Sequence, residues 1–133
     1  MIYIDTSALM TLMTADESTS PAVHAYVRDS DQPLVSSALL AVETRRAILR
    51  NHPGEVAKGE LVLARIELVD ITPAVVELAS RLPDPVLWTL DAIHLATALI
   101  LRENIEAVLT YDERLARAAA RHGLPVASPG ITP

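Results

Sequence analysis

The sequence contains no cysteine among its 133 residues. This absence excludes disulfide bonds, thiolate catalysis and zinc sites built on sulfur, and it fits a reducing compartment. Lysine is nearly absent too, because Lys58 is the only lysine and the other basic residues are arginines. The formal net charge is −6, which argues against a protein that coats nucleic acid through bulk electrostatic attraction.

The sequence also lacks any segment that predicts export or a membrane span. No basic stretch precedes the first apolar run, and Asp5 interrupts that run early, so the N-terminus does not resemble a signal peptide. The most apolar segment, residues 86–101, contains Asp91 and His94 and is too short to cross a bilayer. We therefore expect a soluble protein of the cytoplasm with no membrane partner.

Hydrophobic residues are plentiful at 50% of the chain, which predicts a packed globule rather than a disordered chain. The length corresponds to one domain, residues 1–133, with a core large enough to need no disulfide or metal support. β-Prone runs alternate with helical segments, a pattern typical of an α/β domain with a parallel sheet and helices on both faces. We expect three α/β/α layers with four or five strands.

The predicted elements follow from apolar periodicity and from turn residues. The predicted strands are residues 2–4, 33–37, 66–71, 106–110 and 125–127, and the predicted helices are residues 7–14, 19–29, 38–50, 55–64, 74–82, 90–102 and 112–122. The polar residues 16–18 are expected to link the first two helices. Hydroxyl side chains that can cap helices are those of Thr6, Ser7, Ser36, Ser37 and Thr89.

Four acidic residues occupy positions that suggest chemistry. Asp5 directly follows the first strand, Asp112 follows the strand at 106–110, and Asp91 stands in an apolar helix start. Glu43 lies about one and a half turns into the helix at 38–50. Each has a structural alternative: helix capping for Asp5 and Asp112, dipole stabilisation for Asp91, and a solvated ion pair for Glu43.

The four positions are more informative together than singly. The carboxyl ends of parallel strands meet at one edge of a sheet, so these four side chains are expected to converge there. Converging carboxylates repel one another and persist most easily around a hard cation. Ligands that are all oxygen favour Mg²⁺ or Mn²⁺ over zinc. The reaction class that most often uses such a site is hydrolysis at phosphorus.

Four motifs in order resemble the PIN-domain ribonucleases, and most of all the VapC toxins of type II toxin–antitoxin pairs. The motifs are residues 4–9 (Ile-Asp-Thr-Ser-Ala-Leu), Glu43 followed by Arg46, residues 91–98 (Asp-Ala-Ile-His-Leu-Ala-Thr-Ala) and residues 109–116 (Leu-Thr-Tyr-Asp-Glu-Arg-Leu-Ala). The resemblance spans the whole chain. It implies Mg²⁺- or Mn²⁺-dependent hydrolysis of RNA, inhibition by a VapB-like antitoxin, and a homodimer.

The resemblance also implies roles for individual residues. The residues implied to be catalytic and metal-binding are Asp5, Glu43, Asp91 and Asp112. Thr6 and Thr110 match positions whose hydroxyls help to place metal, water or phosphate. Arg114 and Arg46 are candidate contacts to the RNA, although a solvated helix face is the alternative for both.

Several other residues have a structural interpretation that we favour. His94 is expected to be a core histidine with one satisfied nitrogen, with a partnership to Asp91 as the alternative. Trp88 is expected to pack, although it could stack on a base. His24, His52 and His122 share no metal-ligand spacing and are expected at the surface.

Two other functions compete with a ribonuclease. A small-molecule phosphohydrolase of the haloacid-dehalogenase type would need a second aspartate two residues after Asp5, where Ser7 stands. A catalytically silent PIN-like module that binds RNA or protein would need no fourth acid, yet all four positions are filled. The sequence therefore favours a metal-dependent endoribonuclease.

Overall fold

The computed structural model describes residues 1–14 and 19–131. Its centre is a five-stranded sheet in the order β3-β2-β1-β4-β5, and every neighbouring pair is parallel. The strands are β1 (Ile2–Ile4), β2 (Leu34–Ser37), β3 (Ile66–Val69), β4 (Ala107–Leu109) and β5 (Val126–Ala127). The predicted α/β class and the predicted parallel sheet are confirmed.

Helices cover the sheet on both faces. They are α1 (Thr6–Met13), α2 (Ser20–Ser30), α3 (Leu39–Asn51), α4 (Val56–Leu63), α5 (Pro73–Arg81), α6 (Thr89–Ile100) and α7 (Glu113–Arg121), with short 3-10 turns at Pro53–Glu55 and Arg102–Asn104. All seven lie where the sequence predicts them, with ends that differ by one or two residues. The predicted polar link at residues 16–18 lies outside the described residues.

Along residues 1–14 and 19–131, no helix has both the length and the apolarity to cross a bilayer.

The middle strand β1 is the most enclosed part of the fold. It pairs with β2 on one side and β4 on the other, and its three residues are fully buried. Successive side chains of a strand point to opposite faces. Tyr3 accordingly packs in one hydrophobic cluster with Leu95, while Ile2 and Ile4 pack in the other. The residue after β1 therefore emerges in the middle of the carboxyl edge of the sheet.

Two predicted helix caps are wrong by one residue. Asp5 caps α1, because its Oδ1 accepts a hydrogen bond from the Ala8 backbone N–H at 3.0 Å, and Thr6 is already helical. Helix α6 begins at Thr89, so the capping position falls on Trp88, whose side chain makes no capping bond. In both cases the residue before the predicted cap has the extended backbone that a cap requires.

The cap predicted from Ser36 and Ser37 is confirmed in part. Ser37 Oγ accepts from the Leu39 backbone N–H at 3.1 Å, although α3 itself begins after Ala38. Ser36 instead donates its hydroxyl to the Ile4 carbonyl oxygen at 2.6 Å and fastens β2 to β1.

Asp84 anchors the segment that leads into α6. Its buried carboxylate accepts hydrogen bonds from Arg121 Nη2 and His122 Nε2, both at 2.8 Å, at the end of α7. The hydrogen bond from His122, followed by that from Arg121, holds the pKa of Asp84 below its ordinary value. His122 is thus partly buried and paired rather than at the open surface, unlike His24, which is exposed.

Replacing Asp84 with Ala is expected to lower the free energy of unfolding by about 1–3 kcal/mol at neutral pH, because a buried charged acceptor is lost. The depressed pKa means that the stabilisation is present above the unfolded-state pKa and disappears as the pH falls through the folded-state pKa. Urea unfolding of both proteins at neutral and acidic pH measures this. The control is Glu77→Ala, which breaks an exposed pair with Arg81 and should cost about 0.5 kcal/mol or less. A loss no larger than the control, or one unchanged in acid, would contradict the assignment.

Candidate active site

Asp5 is the most constrained of the four acids. It lies at the end of β1 with 4% of its surface exposed. Its Oδ1 accepts from the Ala8 N–H at 3.0 Å and from Ser7 Oγ at 2.7 Å, and its Oδ2 accepts from Thr110 Oγ1 at 2.6 Å. Three donors on two elements therefore fix the position of both carboxylate oxygens.

The same hydroxyl groups hold the turn after β4 against Asp5. Thr110 Oγ1 accepts from the Asp112 backbone N–H at 3.0 Å, and Ser7 Oγ accepts from the Tyr111 N–H at 2.9 Å. Each hydroxyl thus donates to Asp5 and accepts from the β4–α7 turn. Ser7 was not predicted as a site residue, and its position two residues after a capping aspartate is the one signal in the sequence.

Asp112 caps α7 and faces the same edge. Its Oδ1 accepts from the backbone N–H groups of Arg114 at 2.9 Å and Leu115 at 3.2 Å. Both capping bonds use one oxygen, so Oδ2 has no part in the cap. The capping interpretation and the site interpretation of Asp112 are therefore compatible.

Glu43 links α1, which Asp5 caps, to α6, which carries Asp91. On α3, its Oε1 accepts from Thr6 Oγ1 at 2.8 Å and meets His94 Nε2 at 2.7 Å. Thr6 follows Asp5 in α1, and His94 lies one turn after Asp91 in α6. Glu43 therefore stands between α1 and α6 at the carboxyl edge, where the sequence analysis places it.

His94 lies in the core as expected, but both of its ring nitrogens, not one, have partners. Its Nδ1 lies 2.7 Å from the hydroxyl of Tyr3, which accepts from the Ser37 backbone N–H at 3.3 Å. A carboxylate only accepts, so Nε2 carries the hydrogen that is donated to Glu43. In the neutral ring Nδ1 then accepts from Tyr3. A histidine that is 2% exposed would otherwise leave a polar atom buried without a partner.

This network sets the charge of Glu43. Burial works to raise the pKa of its carboxyl group, but the hydrogen bond and attraction of His94, together with the Thr6 hydroxyl, outweigh it. The pKa of Glu43 is therefore lower than usual, and the group is ionised at neutral pH. Burial also raises the phenolic pKa of Tyr3, which keeps its hydroxyl as a hydrogen-bond donor.

Asp91 and its acidic neighbours repel one another. Burial raises the pKa of Asp91, and the negative charges of Asp112 and Asp5 raise it further. The neighbouring His94 and Arg114 act in the opposite direction and lower it. Burial likewise raises the pKa of Asp5, against the effect of its hydrogen bonds. Asp5, Asp91 and Asp112 therefore share one region in which a cation would be favourable.

The donor set fits a hydrated hard cation better than a metal enclosed by protein. Within residues 1–14 and 19–131, no three histidine or acidic side chains lie close enough together to hold an ion by themselves. Mg²⁺ commonly binds one or two carboxylates and keeps several waters. Asp91, Asp112 and Asp5 carry carboxylate oxygens whose mutual repulsion a cation of this kind would relieve.

The chain resembles known proteins in sequence along most of its length. The PIN domain family model matches residues 2–121. The chain belongs to the PIN-domain family. Among curated relatives, Ribonuclease VapC46 of Mycobacterium tuberculosis is 39% identical over 128 residues, which cover 96% of this chain and 97% of the relative. The resemblance to VapC proteins is therefore confirmed along the length of the chain.

Solved structures share the fold of this PIN domain. A toxin–antitoxin complex from Klebsiella pneumoniae contains a chain that superposes with a TM-score of 0.73 at 19% identity, covering 96% of this chain and 97% of the other. VapC20 of Mycobacterium tuberculosis, described as a toxin that cleaves the sarcin–ricin loop, superposes with a TM-score of 0.68 at 20% identity, covering 93% and 96%. Both likenesses place the α/β architecture among known PIN domains.

The arginines around the PIN-domain site differ in their surroundings. Arg46 is exposed on α3, one turn after Glu43. Arg45, its neighbour, donates two hydrogen bonds to Glu60 at 3.0 and 2.9 Å and is thus engaged with α4. Arg114 lies with its guanidinium 4.8 Å from the centre of the Trp88 ring. Trp88 is 70% exposed, so the expectation that it packs is wrong.

Replacing His94 with Leu is expected to destabilise the protein by about 1–3 kcal/mol, because Tyr3 and Glu43 both lose a buried partner. In the double variant Tyr3→Phe/His94→Leu, the total cost should be smaller than the sum of the two single costs, since no stranded hydroxyl remains. Urea unfolding of the four proteins measures this coupling. Additive costs would show that the Tyr3–His94 contact contributes nothing.

Proposed function

We propose that this PIN-domain protein is a metal-dependent endoribonuclease toxin that hydrolyses phosphodiester bonds in RNA. The observation that supports the proposal is that Thr110 joins Asp5 to the turn that carries Asp112, while Glu43 meets His94 one turn after Asp91. The charges of Asp5 and Asp112 also act on Asp91. The name of the relative VapC46, a ribonuclease, supports an enzyme that acts on RNA. The toxin described as cleaving the sarcin–ricin loop supports the same reading.

The acids would hold Mg²⁺, for which Mn²⁺ can substitute. When bound, a divalent ion of this kind activates water and neutralises the negative charge that grows on the leaving oxygen. Asp91 and Asp112 would supply ligand oxygens, Asp5 would ligate directly or through water, and Glu43 would complete the site. No side chain is required as a nucleophile, and no covalent intermediate with the protein is expected.

Around these acids, Thr6, Thr110 and His94 act through the carboxylates that they touch. Thr110 donates to Asp5, while Thr6 and His94 donate to the same oxygen of Glu43. Partners of this kind fix the orientation of metal-binding groups and are often needed for full affinity. The carboxylates of Asp5 and Glu43 are therefore set in place before an ion or substrate arrives.

Arg46 and Arg114 are the proposed contacts to the RNA backbone. Both side chains are exposed beside an acid of the site, Arg46 one turn after Glu43 and Arg114 two residues after Asp112. A guanidinium group matches the geometry of a phosphate through paired hydrogen bonds. Two such groups at the rim would offset part of the repulsion between RNA and an acidic site.

A VapB-like antitoxin and a second copy of the chain are the proposed protein partners. The structural neighbour from Klebsiella pneumoniae is a toxin–antitoxin complex, which supports an antitoxin. Large apolar side chains also lie exposed on α3 and α4, namely Val42, Leu49, Val56 and Leu61. Exposed apolar surface of this kind is typical of protein interaction sites. RNA and such an antitoxin would both be met in the cytoplasm, where we propose that the protein acts.

The test is cleavage of a labelled structured RNA by protein purified free of antitoxin, with Mg²⁺ or Mn²⁺ and with EDTA. Wild type should cut with metal and not with EDTA. Asp91→Asn should lower kcat/KM by about 100-fold or more, because the loss of a metal ligand should cost at least as much as the loss of its supporting partners.

Asp29→Asn is the matched control, since Asp29 is exposed on α2 at the opposite edge of the sheet. It should cleave as the wild type does. Equal losses in both variants, or cutting that persists in EDTA, would overturn the metal-dependent site. A folded wild type that neither cuts RNA nor binds Mn²⁺ would favour the catalytically silent binding module instead.

A further inference from the structure

The single tryptophan of the chain is exposed to solvent and does not lie in the core. Trp88 is 70% exposed at the residue before α6, in a protein with only 3% aromatic residues. The guanidinium of Arg114, from the first turn of α7, lies 4.8 Å from the centre of its ring. A cation over the face of an indole is an attractive arrangement. Two elements therefore meet to present a flat aromatic surface with a positive charge on it.

This pair borders the acidic site. Trp88 stands three residues before Asp91, and Arg114 stands two residues after Asp112. Anything that stacks on the indole would thus lie beside the carboxylates rather than at a distance from them.

Because the protein is acidic, it must bind RNA through contacts that do not depend on long-range electrostatic attraction. The chain carries a net charge of −6, and its proposed site is lined by carboxylates, so long-range electrostatics does not draw RNA to it. Stacking of a base on an aromatic ring does not depend on the net charge of the protein, and any base can stack in this way. One adjacent arginine then suffices to meet the phosphate of the stacked nucleotide.

We propose that Trp88 and Arg114 form a nucleobase subsite that stacks one base of single-stranded RNA next to the phosphate to be cleaved. This subsite rests on the proposed ribonuclease function. It explains how an acidic protein can hold an RNA substrate. The stacked base fixes the strand at the rim, and Arg114 contacts its phosphate. Recognition would favour unpaired segments, because only an unstacked base can lie on the indole.

A first experiment uses the intrinsic fluorescence of Trp88, which reports on this position alone because no other tryptophan is present. Asp91→Asn, in Mg²⁺ and with cleavage stopped, is titrated with a short single-stranded RNA. The matched probe is an oligomer of the same length and charge with abasic nucleotides. RNA should quench the fluorescence, and the abasic oligomer should quench it weakly and bind less tightly. Equal binding and equal quenching by the two would overturn the stacking subsite.

A second experiment measures cleavage kinetics of variants that retain all four acids. Trp88→Ala should raise KM by about 5- to 150-fold, the range expected for one lost stacking contact, while kcat changes less. Trp88→Phe should recover much of the loss. Arg114→Ala should raise KM by an amount that shrinks as salt is added, whereas the Trp88→Ala effect should persist in salt.

The control is Val76→Ala, because Val76 is 53% exposed on α5 and belongs neither to the acidic site nor to the proposed partner surface. Its KM should equal that of the wild type. Wild-type cleavage with an unchanged KM in Trp88→Ala would overturn the subsite and leave the proposed function standing. The same result with a change in self-association would assign the surface to a protein contact. Quenching by RNA without any cleavage by the wild type would keep the subsite and overturn the nuclease.

Discussion

The hydrogen bond from Thr110 to the buried carboxylate of Asp5 joins the ends of the two central strands, and the geometry of the site depends on it. Thr110 is the residue after β4, and Asp5 is the residue after β1. Their hydrogen bond holds the turn that carries Asp112 against the start of α1. Ser7 adds a parallel connection through the Tyr111 N–H. Because buried charged acceptors are costly to leave without donors, these bonds stabilise the fold and the site together.

The fold could be read from the sequence because its signals are local. Apolar runs, proline at helix starts and the glycine after α7 locate every described helix and strand to within a few residues. The differences arise where pairing, not propensity, ends an element. β3 stops at Val69 because its last partner, Ser37, is the last residue of β2, although Ile71 continues the apolar run. The residue at which a strand ends therefore depends on the neighbouring strand with which it pairs.

The four acids of the proposed site could also be selected from the sequence, but the residues that hold them could not. Asp5 and Asp112 can be recognised in the sequence because each follows an apolar strand. The roles of His94 and Ser7 depend on residues far away in sequence, since His94 meets Tyr3 across 91 positions and Ser7 meets Tyr111 across 104. The exposure of Trp88 was missed for a related reason. An indole next to apolar residues predicts burial, and only the arrangement of α6 and α7 shows that it faces outward.

The central position of β1 has a consequence for synthesis on the ribosome. The strand that is made first is the middle of the sheet, and Thr110 is made 105 positions after Asp5. Until β4 has emerged from the exit tunnel, β1 has no partner on that side, and Asp112 has no place beside Asp5. A nascent chain therefore carries Asp5, Glu43 and Asp91 before Asp112 can join them. Activity of the proposed kind can therefore begin only late in translation, after the turn that carries Asp112 has been made.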